Sequence, residues 1–92
     1  MRDQQYTIKF PHYKKWIRRR LRLYKRYGRL FLKITFYFRG LCKQDIDNML
    51  VPLLNVLSGH WMYDDAQVKH LLVEVREFDR RFGIYIQIGV LP

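Results

Sequence analysis

The chain holds a single cysteine, Cys42, in 92 residues. That excludes an intramolecular disulfide, and with only three scattered histidines it excludes a cysteine-rich zinc site. Acids are scarce, with 8 Asp and Glu against 18 Lys and Arg and a formal charge of +10. No apolar run approaches the roughly 20 residues of a membrane-spanning helix, so no membrane partner is expected. Repeats, low-complexity tracts and Ser/Gly-rich linkers are absent. The length supports one modest core, so residues 1–92 read as a single domain without a two-domain cleft. What is present is apolar: 49% hydrophobic and 16% aromatic residues rule out a disordered basic tail. A small, basic, aromatic-rich and disulfide-free domain belongs with intracellular proteins that associate with nucleic acid, in the cytoplasm, at a nucleoid or in an organelle.

The charge is divided unevenly. Residues 1–44 carry 14 basic residues and one acid, Asp3, for a net +13. Residues 45–92 carry 4 basic residues and 7 acids, for a net −3. The first part is suited to phosphate. The second part places Asp45, Asp47, Asp64 and Asp65 in one short stretch. Carboxylates beside a phosphate-binding surface repel the ligand unless a metal ion inverts the local sign. The N-terminus is Arg-rich and acid-poor like a mitochondrial presequence, but it is Ser-poor and aromatic, and it reads as part of the fold.

Hydrophobic periodicity gives the elements. Tyr6, Ile8 and Phe10 alternate with Thr7 and Lys9, which predicts a strand ended by Pro11. Apolar residues at Tyr13, Trp16, Ile17, Leu21, Tyr24 and Tyr27 predict a helix from about His12 to Tyr27, with Gly28 past its end. Leu30 to Arg39 alternates and is rich in aromatic and β-branched residues, as a central strand is. Met49, Leu50, Leu53, Leu54 and Leu57 form a second helical stripe that Ser58-Gly59 closes. Pro52 belongs in a first turn, which puts the first helical residue near Leu50 and leaves Gln44 to Asn48 as a loop. Val68 to Phe78 and Ile84 to Val90 are two further strands around a turn. The order β-α-β-α-β-β implies an α+β domain of mixed sheet, about four strands with two helices.

Two acidic pairs carry the chemistry. Asp45 and Asp47 lie two apart, so both carboxylates can share one side in extended chain. Asp64-Asp65 follows one helix later, just before a strand. Three or four carboxylates brought together would need a divalent cation, and oxygen ligands suit Mg²⁺ or Mn²⁺. Such a metal can activate water and offset charge on a phosphodiester. Read from spacing alone, Asp-x-Asp-Asn before a helix is more often a cap and Asp-Asp an ordinary turn.

The segments Asp45-Ile46-Asp47-Asn48, Leu53-Leu54-Asn55-Val56-Leu57-Ser58-Gly59 and Tyr63-Asp64-Asp65-Ala66-Gln67-Val68 resemble the core of the RusA-type Holliday-junction resolvases. The resemblance covers about residues 45–68 and is loose before them. It implies an Asp-x-Asp-Asn motif opening a helix and an Asp-Asp-x-Gln-Val motif entering a strand. It further implies Asp45, Asp47 and Asp65 as catalytic, metal-binding carboxylates with Asp64 beside them, Mg²⁺ or Mn²⁺ as cofactor, and a homodimer that cuts branched DNA symmetrically. The family's lysine, four residues after the second Asp of the first motif, is here Val51, with Lys43 and Lys69 as the nearby cations.

The basic helix is the second candidate region. Lys14, Lys15, Arg18, Arg19, Arg20, Arg22, Lys25 and Arg26 form a cationic face with almost no interleaved acids, which favours nucleic-acid binding over a merely solvated surface. Tyr13, Trp16, Tyr24, Tyr27, Trp61 and Tyr63 read as packing residues that can also stack on bases. His12, His60 and His70 show no ligand spacing. Three functions are therefore expected, in this order. The first is a metal-dependent endonuclease acting on branched DNA. The second is a catalytically inactive relative that binds DNA or RNA, for example a structural subunit of a ribonucleoprotein particle. The third is a module docking a helix on Leu53, Leu54 and Leu57.

Overall fold

The computed structural model describes residues 4–8, 13–20 and 26–92, with side chains described for 13–15, 17 and 26–92. Four strands and two helices follow the chain as β1 (Gln4–Ile8), α1 (Tyr13–Arg20), β2 (Leu30–Tyr37), α2 (Ile46–Leu57), β3 (Val68–Arg76) and β4 (Gly83–Val90). A short 3₁₀ turn, Asp65–Gln67, leads into β3. The class is α+β, as periodicity implied.

The sheet runs β1-β4-β2-β3. β4 pairs antiparallel with β1 and with β2, whereas β2 and β3 pair in parallel. A parallel pair cannot be joined by a hairpin. The chain leaves the end of β2, returns along α2, and enters β3 at the end where β2 began. Leu30 of β2 lies opposite Val68 of β3, and Tyr37 lies opposite Arg76.

Alternation sets the two faces. Leu30, Leu32, Ile34 and Phe36 of β2 and Ile84, Ile86 and Ile88 of β4 are buried on the helix side. Ile17 of α1 and Met49, Leu53, Val56 and Leu57 of α2 close over them. The other face carries Phe31, Lys33, Tyr37, Tyr85 and Gln87, all half-buried, with no helix over it among the described residues. Leu71, Val73 and Val75 share the helix side as expected, but β3 is an edge strand, so Leu71 stays exposed.

The start of α2 and the place of Arg26 differ from the sequence expectation. α2 begins at Ile46, a turn earlier than Leu50, and Pro52 is inside it. Asp45, in extended conformation, is the N-cap and Asp47 lies in the first turn, where a carboxylate complements the positive helix end. Burial of Met49 and Leu53 on either side of Pro52 offsets the lost backbone bond to the Asn48 carbonyl. The first helix is described only to Arg20. Arg26 makes a bridge with Met62 rather than a helical turn, because its N–H donates to the Trp61 carbonyl at 3.1 Å. Leu21 to Lys25, and Phe10 to His12 at the end of the expected first strand, lie outside the described residues.

The connection from β3 to β4 is held by its own charges. Arg81 pairs with Asp79 at 3.0 Å, and this bond holds the Asp79 carboxyl at a pKa of about 2. The Arg81 guanidinium also lies 4.0 Å from the centre of the Tyr37 ring. Phe78 in this turn has φ 55° and is 75% exposed. No helix of the described residues is long and apolar enough to cross a membrane.

Proline in a helix interior removes a hydrogen bond and crowds the preceding turn. Pro52→Ala is expected to stabilise the domain by on the order of 1–3 kcal/mol, read as a higher denaturant midpoint with unchanged slope.

Candidate functional site

The two acidic pairs stand at opposite ends of the sheet. Asp45 and Asp47 open α2, beside the C-terminal ends of β2 and β3. Asp64 and Asp65 precede β3, beside the N-terminal ends of the same strands. Between them runs α2, 12 residues long and about 18 Å at 1.5 Å per residue. The convergence of Asp45, Asp47, Asp64 and Asp65 expected from the sequence is therefore corrected. The cause is the parallel register of β2 and β3, which assigns the start of α2 to one edge of the fold and the start of β3 to the other.

One member of each pair is also satisfied locally. The Asp47 carboxylate accepts from the Asn48 N–H at 3.0 Å. The Asp64 carboxylate accepts from the Ala66 N–H at 3.0 Å, and this bond is the main reason its pKa is lowered. Asp64 and Gln67 form a reciprocal capping box over the 3₁₀ turn. Asp65 lies in that turn, exposed. Asp45 makes no side-chain cap bond and is exposed. Among the described residues no group of three or more His, Cys, Asp or Glu is placed to hold a metal ion. A hard cation takes several oxygens at once, so within one chain these carboxylates do not fit Mg²⁺ or Mn²⁺. Val51 is exposed on α2, while Lys43 and Lys69 lie at opposite ends of the sheet.

Gln67 does more than the sequence reading gave it. Its carbonyl accepts from the N–H groups of Tyr63 and Asp64 at 2.7 and 2.9 Å. Its amide donates to the carbonyls of Arg26 and Gly28 at 3.0 and 2.9 Å. Gly28, with φ 82°, turns the chain there into β2. Asp64-x-x-Gln67 is a capping signature readable in the sequence, and here it ties the entry of β3 to the entry of β2.

The basic residues divide by position. Lys14 and Lys15 are exposed on α1. Arg18, Arg19 and Arg20 lie on the same helix, but their side chains are outside the described residues, as are Arg22 and Lys25 entirely. Arg26 is corrected: it is 3% exposed, with its guanidinium 5.9 Å from the Trp61 ring and 3.5 Å from the Trp61 carbonyl. It holds the fold instead of facing a ligand. Arg29, Arg39 and Lys43 are exposed and Lys33 is half-buried. The ion pairs among the described residues are Arg76–Glu74 and Arg81–Asp79, both inside residues 45–92. None of the exposed cations of the first part has a carboxylate partner among the described residues.

Of the aromatic residues read as packing, Trp61 is buried and donates its ring N–H to the Ile17 carbonyl at 3.2 Å. Tyr27 and Tyr63 are instead exposed, with hydroxyls 2.6 Å apart and ring centres 4.6 Å apart. His60 bonds the Val56 carbonyl at 2.9 Å, a turn residue as expected. Cys42 is half-buried with its sulfur 3.9 Å from that of Met49.

A cleft of about 330 Å³ opens where α1 and α2 begin, beside the turn from β3 to β4. Tyr13, Phe38, Phe82, Gln44 and Asn48 are among the residues that line it. The sequence matches no protein-family model and no curated protein.

Gln67→Ala removes bonds to four backbone groups in two segments. It is expected to cost about 2 kcal/mol by denaturant unfolding, at roughly 1 kcal/mol or less net per exposed bond. Asp65→Ala, which removes no such tie, is expected to stay within about 0.5 kcal/mol.

Proposed function

We propose that the protein binds nucleic acid through its basic N-terminal part and does not cut it. One observation carries this reading: among the described residues the exposed cations of residues 1–44 have no carboxylate partner, while Glu74 and Asp79 pair with nearby arginines and Asp47 and Asp64 accept from backbone amides. Cations held apart from the protein's own acids are available to displace counterions from a phosphate chain. Lys14 and Lys15 on α1 are the described part of that surface, and Arg18, Arg19, Arg20, Arg22 and Lys25 continue it in sequence.

The resemblance to RusA-type resolvases enters this reading as scaffold. Asp45-Ile46-Asp47-Asn48 opens α2 and Asp64-Asp65-Ala66-Gln67-Val68 enters β3, the element order which that resemblance implies. Hydrolysis of a branched DNA by Mg²⁺ or Mn²⁺ would need Asp45, Asp47 and Asp65 at one point. Their separation along α2, and Val51 in place of the family's lysine, favour a binding protein built on such a scaffold. Both DNA and RNA offer the phosphate chain it needs.

A homodimer fits the free edge of β3, where Leu71 and Leu72 are each 44% exposed. Antiparallel pairing of two copies about Leu72 would set His70 of each against Glu74 of the other, a ring N–H donor facing a carboxylate acceptor across the strands. Leu72→Lys should then yield a monomer by light scattering where the unaltered protein is a dimer. Equal masses for the two would remove the dimer.

Binding to single-stranded and four-way-junction oligonucleotides tests the main reading. Affinity should fall steeply with salt, and Lys14→Glu with Lys15→Glu should flatten the slope of log K against log salt by about two. The junction should emerge intact from incubation with Mg²⁺ or Mn²⁺. Metal-dependent nicking that Asp65→Asn abolishes would replace this reading with the nuclease. Absence of salt-sensitive binding would remove both.

A further inference from the structure

The cleft at the start of the two helices has a composition that neither phosphate binding nor folding requires. Its floor is the buried Phe36, Met49 and Ile84. Phe38 and Phe82 pack edge to face on each other at its side, ring centres 6.2 Å apart, and Phe82 remains 43% exposed. At about 330 Å³ it falls in the size range of small-molecule sites. Gln44 and Asn48 line the cleft and are exposed, and neither side chain has a hydrogen-bond partner among the described residues. A primary amide offers one donor and one acceptor side by side, the pattern that matches the edge of a nucleobase.

The charges around the cleft are ordered too. Lys14 holds its ammonium 6.0 Å from the centre of the Tyr13 ring, on the α1 side. Lys15 is exposed next to it. Asp45 and Asp47 flank the amides on the α2 side. A phosphate is attracted to the first side and repelled from the second. A nucleotide entering here is thereby oriented with its backbone along α1 and its base edge toward Gln44 and Asn48. Of the acids nearby, Asp79 is paired with Arg81, whereas Glu77, which accepts from the Cys42 N–H at 2.8 Å, keeps its charge and adds to the negative side with Asp45 and Asp47.

From this geometry we infer that the cleft takes one unpaired base of a single-stranded nucleic acid, packed against the exposed ring of Phe82 beside Tyr13 and hydrogen-bonded by Gln44 and Asn48. The inference rests on the nucleic-acid reading above and specifies which form of the polymer is preferred. Stacking a base on an aromatic ring tolerates any sequence, whereas the paired amides favour a base that presents a donor beside an acceptor.

Short single strands carrying one 2-aminopurine, in DNA and in RNA form, test it against a duplex of the same length. Binding should change the emission of the 2-aminopurine. Phe82→Ala, and separately Gln44→Ala with Asn48→Ala, should each weaken single-strand binding about tenfold, the scale of one stacked or doubly hydrogen-bonded base. Duplex binding should be unchanged by either. These positions are exposed, and circular dichroism of each variant should match that of the unaltered protein. The backbone form that binds more tightly identifies the source, and the same variants must weaken it. Variants that bind single strands as the unaltered protein does overturn the cleft while leaving the nucleic-acid reading intact. A protein that binds neither single strand nor duplex overturns both.

Discussion

The parallel pairing of β2 with β3 is the constraint on which the rest of the molecule depends. Parallel neighbours force the chain across the full height of the sheet between them, and α2 makes that crossing. In doing so it buries Met49, Leu53, Val56 and Leu57 on the strands and completes the core. It also assigns every polar feature of the second part to one end or the other. The opening of α2, with Asp45, Asp47, Gln44 and Asn48, shares its end with the aromatic cleft. The capping box, Gln67 and the Tyr27–Tyr63 pair share the opposite end with the buried Arg26.

Charge follows the same division. A small domain at +10 repels itself, and internal salt bridges are the usual relief. Here Asp64 caps a turn, Asp47 steadies a helix start and Asp79 pins the loop before β4. Among the described residues of the first part, Lys14, Lys15, Arg29, Arg39 and Lys43 thus keep their charge at the surface, whereas Arg26 is buried. That guanidinium is held against Trp61, whose indole in turn reaches the α1 backbone, so one cation is consumed in joining the first helix to the loop after the second.

How much of this was legible depends on whether a feature is local. The alternation of Leu30, Leu32, Ile34 and Phe36, and that of Ile84, Ile86 and Ile88, predicted the two central strands because burial on one face repeats every two residues. The stripe through Met49, Leu53 and Leu57 predicted α2. Its start was misplaced because Pro52 was assigned the position that suits proline best, whereas burial on both sides of it governs. Arg26 was assigned to a helix face because its contacts, with Trp61 and Met62, lie 35 or more residues away. Exposed Tyr27 and Tyr63 fit a packing pattern that the chain does not use. The Asp64-x-x-Gln67 cap was visible but was read as half of a ligand set. The deciding fact, whether the second acidic pair meets the first, turns on strand direction, which hydrophobic spacing does not encode.

The outer edge of β3 leaves one row of backbone groups with no strand beside it among the described residues. Any extended segment of suitable sequence can in principle dock there, and sheets that expose such edges grow into fibres when nothing discourages it. On this edge Lys69, Glu74 and Arg76 are set among Leu71, Leu72, Val73 and Val75. Alternating signs admit a partner in register and penalise a slipped one. The strand thus carries charged side chains of the kind that guard an edge against unregistered pairing, and they contribute nothing to the core.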